Sequence, residues 1–196
     1  GSVELAYRLL GGSALIDEAA PSSVSTRREH EQIAIFGRVV RSEGAGAGAA
    51  DIPTDSWRVI NEGGGELGLV RAPDGKETRL SCRSLVAIRD GSNNRLAIVR
   101  SLTRMEDGSL HAQLNFLPGP GIAMLAIGHE KGTNRSLRLP ALFLPTTPGS
   151  GTPPSVIIPG GIAARLVRCE IPDLPDGLRV GSPLDRGANF ERLRCD

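Results

Sequence analysis

Aromatic residues are scarce. Phe, Trp and Tyr together make up 3% of the 196 residues, with one tryptophan and one tyrosine. So few rings exclude the stacking platform on which single-stranded nucleic acid binding relies, as in a barrel of the oligonucleotide-binding type. An excess of one charge is missing too. The formal net charge is +1, so no global field draws the chain to nucleic acid or to an anionic membrane. Lysine is nearly absent: Lys76 and Lys131 are the two among 23 basic residues. Arginine's planar fork suits phosphates and guanine edges, although a GC-rich coding sequence yields the same composition.

The three cysteines, Cys82, Cys169 and Cys195, show no CxxC and no close spacing, which argues against a secreted disulfide framework. The histidines, His30, His111 and His129, lie far in sequence from any cysteine, and no metal site is expected. No run of 18 apolar residues exists, so no membrane-spanning helix is expected, and no secretory signal opens the chain. A cytoplasmic location follows as the expectation. Gly1-Ser2 reads as a cloning remnant, so a piece of a longer protein is expected. Enzyme signatures are missing: no GxSxG elbow, no HExxH, no GxxxxGK[ST] phosphate loop. The stretch "GAGAGAA", Gly44 to Ala50, lacks the helix that a dinucleotide fingerprint needs behind it, because Asp51-Ile52-Pro53 follows; it reads as a linker. No catalytic residue and no cofactor is expected, and the chain reads as a non-enzyme.

What is present is glycine (25), proline (14) and an apolar fraction of 39%, which favours many short strands and turns around a modest core. Between Val3 and Ala20 the shared face of Leu5, Leu9 and Leu10, stopped by Gly11-Gly12, predicts one or two short N-terminal helices. A strand is expected over Ile33 to Arg41. From Trp57 onward strand follows strand: Trp57 to Asn61, Leu67 to Arg71, Leu85 to Arg89, Leu96 to Leu102 and His111 to Phe116. Turn residues such as Pro73-Asp74-Gly75 and Glu106-Asp107-Gly108 separate them. This spacing predicts antiparallel hairpins of a small barrel or sandwich. After Pro118-Gly119-Pro120-Gly121 a second series follows: Ile122 to Ile127, Leu137 to Leu144, Ser155 to Ile158 and Arg165 to Ile171. The dearth of charge over Ala141 to Ile162 implies burial or an interaction surface. Trp57, alternating with Val59, reads as a core anchor.

Three consecutive glycines, Gly63-Gly64-Gly65, interrupt "SWRVINEGGGELGLV", residues 56 to 70. Such a run marks a bulge, a sharp bend or a place where a ligand meets the backbone. Together with "TRREHEQ", residues 26 to 32, this stretch resembles the PilZ family, bacterial receptors of cyclic di-GMP. That family carries an RxxxR segment before its first barrel strand and a [D/N]xSxxG turn leading into the next strands. Arg28 matches the first arginine, with Arg27 beside it, and Asn61 matches the Asp/Asn. Gln32 stands at the second arginine, Gly63 at the serine and Glu66 at the closing glycine.

The resemblance implies a mostly β fold: a PilZ-like six-stranded antiparallel β-barrel followed by a second small β-rich unit, with short N-terminal helices. The expected division is 1–25 as an N-terminal helical or linker segment, 26–118 as the barrel and 119–196 as the second unit. It implies a ligand site built from Arg27, Arg28, Gln32, Asn61, Gly63 and Gly65. The implied function is a bacterial regulatory module binding cyclic di-GMP through altered contacts and signalling by protein–protein interaction. The alternative is an adaptor that binds no nucleotide and serves as a protein-interaction scaffold, with an exposed apolar patch over Ala141 to Ile162.

Overall fold

Val3 and Leu5 alternate with Ser2 and Glu4, and in the computed structural model this period of two wins over helical spacing: Ser2–Ala6 is a strand, β1. The N-terminal helix expected from Leu5, Leu9 and Leu10 is therefore corrected at its first residues. Four residues of alternation look weak alone, but β1 pairs on both edges, with Thr54–Gly63 (β3) and with Leu85–Asp90 (β5), and long-range pairing decides the conformation. The structure describes residues 1–6, 16–17, 54–74, 78, 80–90, 93–133, 135–147, 149, 151–172 and 178–196. The expected strand over 33–41 and the linker over 44–50 lie outside them, as do residues 7–15 of the expected helices.

Six antiparallel strands close a barrel in the order β1, β3, β4 (Glu66–Arg71), β7 (Leu110–Phe116), β6 (Asn93–Arg104) and β5, which returns to β1. Of the barrel or sandwich that the hairpin spacing predicts, the barrel is present. Its strands alternate as a half-buried sheet should. Val3, Leu5, Leu67, Leu69, Val86, Ile88, Val99 and Leu114 point inward around Trp57, which is 1% exposed. Trp57 is the core anchor that its alternation with Val59 implies; truncating so large a buried ring costs about 3–5 kcal/mol.

The second unit is one curled antiparallel sheet, in the order β11 (Leu166–Glu170), β8 (Ile122–Glu130), β9 (Ser136–Leu144), β10 (Ser155–Pro159), β13 (Phe190–Cys195) and β12 (Val180–Arg186). A two-residue strand, β2 (Ile16–Asp17), joins β9 at Arg138 and Leu137. Pro140 lies in β9 between the stretch paired with β2 and the stretch paired with β10, where one edge of the ladder is interrupted and a missing N–H is tolerated. Met124, Leu139, Phe143, Val156, Ile158 and Leu193 fill the sheet's own core.

The alternate residues of the same strands face the barrel. Leu142, Leu144, Ile157 and Phe190 meet Ala6, Leu85, Ala87 and Leu96, which point outward from the barrel wall, and all eight are buried. The low charge of Ala141 to Ile162 therefore reflects burial. Ala141–Leu144 and Ser155–Ile158 are core, and the exposed apolar patch expected there is corrected. A polar clamp runs beside this layer. Leu85 N–H donates to Asn189 Oδ1 at 2.8 Å, Asn189 Nδ2 donates to the Leu85 carbonyl at 3.1 Å, and Ala188 N–H donates to the Arg83 carbonyl at 2.9 Å. Because β1 pairs with β5 only over Ala87 to Arg89, the free edge at Leu85 is completed by a side-chain amide acting as a one-residue strand.

Candidate ligand-binding hairpin on the barrel

The glycine run is a hairpin turn. Gly63 pairs with Glu66, leaving Gly64 and Gly65 as the two turn residues, with φ of 62° and 84°. Positive φ at both central positions is the backbone of the tight turn whose twist matches the flanking strands, and glycine adopts it without a Cβ penalty. Gly63 has an ordinary φ and open space around it. The run thus separates two strands that pair with each other, and its turn geometry accounts for Gly64 and Gly65 without a ligand.

Asn61 lies two residues behind the tip. A register shift between Val59 and Asn61 turns it onto the outer wall opposite Gly68. Gly68 sits between the inward Leu67 and Leu69. A Cβ placed on Gly68 would collide with Asn61 Oδ1, fall 2.8 Å from Asn61 Cγ, and lie 3.1 Å from Gln113 Nε2. The missing side chain lets two carboxamides, from β3 and β7, converge over bare backbone. The register extends this polar row to Ser101 on β6.

Two charged pairs stand at the same end of the barrel. Glu62 Oε1 meets Arg95 Nη2 at 2.7 Å, and Glu66 Oε1 meets Arg100 Nη1 at 2.8 Å. The Arg95 guanidinium also lies 3.9 Å from the centre of the Phe116 ring. Arg100 points outward, as its place beside the inward Val99 implies. Exposed pairs of this kind contribute roughly 0–1 kcal/mol each to stability. Their effect here is electrostatic: among the described residues each glutamate of the hairpin is matched by one arginine, and these pairs add little net field. The groups assembled on the outer wall are the side chains of Asn61, Gln113 and Ser101, while the stacked Arg95 guanidinium is in register with the inward Ile88.

Of the six residues expected at the site, Asn61, Gly63 and Gly65 share this hairpin, while Arg27, Arg28 and Gln32 lie outside the described residues. Gly68, Arg95 and Gln113 were not singled out from sequence. One signal was present: His111, Gln113 and Asn115 are the polar alternates of "HAQLNF" and so share one face of β7.

Among the described residues, no cluster of three or more His, Cys, Asp or Glu could hold a metal ion, and no helix is long and apolar enough to cross a membrane. Comparison with protein-family models, with curated proteins and with solved structures finds no match for this chain.

Proposed function

We propose that the chain is a non-enzymatic regulatory adaptor of the bacterial cytoplasm, a divergent PilZ-like barrel carrying a second β unit, which works by protein–protein contact. The observation that carries this reading is the joint between the two sheets. An eight-residue apolar layer and the Asn189 clamp hold them as one scaffold, which suits presenting a fixed surface to a partner. The matched charges of the hairpin favour the same reading, because among the described residues each hairpin arginine is already paired with a glutamate and is not spare for the two phosphates of cyclic di-GMP.

A second reading, binding of cyclic di-GMP through altered contacts, is favoured by Asn61 standing exposed on the outer wall, where its carboxamide converges with that of Gln113. Calorimetric titration with cyclic di-GMP separates the two. The adaptor gives no heat up to roughly millimolar ligand. Micromolar binding that Arg28→Ala abolishes replaces the first reading with the second. The adaptor is further expected to co-elute with a larger partner from a bacterial extract; a chain that elutes alone counts against it.

A further inference from the structure

The wall formed by β3, β4, β7 and β6 is not covered by the second sheet, and its far end, away from the glycine turn, carries a cleft of about 570 Å³. That volume lies within the roughly 300–1,000 Å³ typical of small-molecule sites. Cross-strand register places Arg58, Val70, His111 and Thr103 in one row across the four strands. Arg58, Ile60, Val70 and His111 line the cleft together with Ser56 and Ser2.

The other charged groups of the cleft are already engaged. Arg71 is 7% exposed and held by Asp55 at 2.6 Å and Asp74 at 3.4 Å. Asp107 accepts from Ser109 N–H at 2.9 Å, and its carboxyl is held below the usual range by hydrogen bonds from the Ser109 side chain and backbone. Among the described residues the Arg58 guanidinium has no ion-pair partner, the indole N–H of Trp57 is buried without a hydrogen-bond partner, and the His111 ring lies within electrostatic reach of the Asp107 carboxylate. Ile60, 46% exposed, and Val70 supply an apolar floor beside them. Among the described residues, one cation without an ion-pair partner, an imidazole and an apolar floor share this concavity, a combination complementary to a ligand with an acidic group on a flat apolar body.

We propose that this cleft is a binding site for a small organic anion, whose phosphate or carboxylate is taken by Arg58 and whose apolar body lies on Ile60 and Val70. Trp57, the one tryptophan of the chain, lines the cleft and makes its own reporter. The test is a tryptophan-fluorescence titration of the full chain with phenyl phosphate, with benzoate and with neutral benzyl alcohol. Saturable changes are expected with at least one anion, and the stronger of the two identifies the acidic group. Benzyl alcohol should bind at least about tenfold more weakly than that anion.

Arg58→Ala, at an exposed position, should weaken the preferred anion about tenfold or more, and so should Ile60→Asp, which sets a like charge on the floor. Arg100→Ala, on the glycine-turn side, should leave it unchanged, which separates this site from any binding at the hairpin. Failure of both anions to saturate below roughly 10 mM overturns the proposal. So does equal binding of the alcohol, or undiminished binding by Arg58→Ala.

Discussion

Replacing Asn189 with alanine tests how the two sheets are joined. In the folded chain Asn189 satisfies both backbone groups of Leu85, a residue 1% exposed, with bonds of 2.8 and 3.1 Å. The truncation leaves a buried N–H and a buried C=O unpaired. Each unsatisfied group costs about 1–3 kcal/mol, so a loss of about 2–4 kcal/mol is expected once partial solvation is allowed for. For a chain of this size each kcal/mol moves the midpoint by roughly 2–4 °C, giving a fall in Tm of about 5–15 °C. Hydrogen exchange supplies a local readout, since the Leu85 amide should lose its protection by a larger factor than amides deep in the barrel, such as Leu69. A Tm within about 2 °C of the parent, with Leu85 still protected, would refute the view that this amide serves as a missing strand.

The three consecutive glycines should differ in their tolerance. Gly65→Val places a branched side chain at φ 84° and should cost about 1–2 kcal/mol in urea unfolding, whereas Gly63→Ala should be nearly silent; equal effects would contradict the turn assignment. Gly68→Ala should dislodge the Asn61 carboxamide, seen as a shift of its side-chain amide resonances, at a stability cost of about 1 kcal/mol. Burial pushes the thiols of Cys169 and Cys195 up to about 11, whereas Cys82 is exposed. At pH 8 one thiol should react quickly with a disulfide reagent, and Cys82→Ser should remove that phase. The raised thiols stabilise the fold fully below the ordinary thiol value of 9.0, and that contribution is lost as pH climbs toward about 11. Denaturant midpoints should therefore fall across that window, and less so in Cys169→Ala.

Many of the strand positions were legible because the signals were local. "RLAIVRSLTRMEDGSLHAQLNF" carries alternation on both arms and a turn whose geometry shows in Gly108 at φ 82° and Ser109 N–H on Asp107. What escaped was set by long-range pairing. "SVELA" becomes a strand only because β3 and β5 offer two edges, and nothing within five residues announces them. The glycine run was open to several readings because a tight hairpin turn and a ligand loop both call for glycine. The partner strands that decide between them lie elsewhere in the chain. Asn61 was visible as a residue type, but its setting was not: the convergence with Gln113 depends on a bulge and on Gly68, which sequence spacing does not reveal.

The side of the barrel left free can be read in the outward positions of its strands once their register is known. On β5 and the start of β6 the outward residues are Leu85, Ala87 and Leu96, and these are the ones the second sheet covers. Past the register shift at Arg100, the outward residues of β6 and β7 are Ser101, Thr103, His111 and Gln113, whose hydrogen-bonding groups would be costly to bury unpaired. One continuous strand, β6, therefore changes its outer face from apolar to polar at a single bulge. The joint between the units forms on one side of that point, and the wall that the second sheet does not cover lies on the other. A second apolar sheet could not cover Gln113 and His111 without supplying partners for them, whereas a hydrogen-bonding ligand brings its own. Both candidate sites, the Asn61 hairpin and the Arg58 cleft, fall on the uncovered wall for this reason.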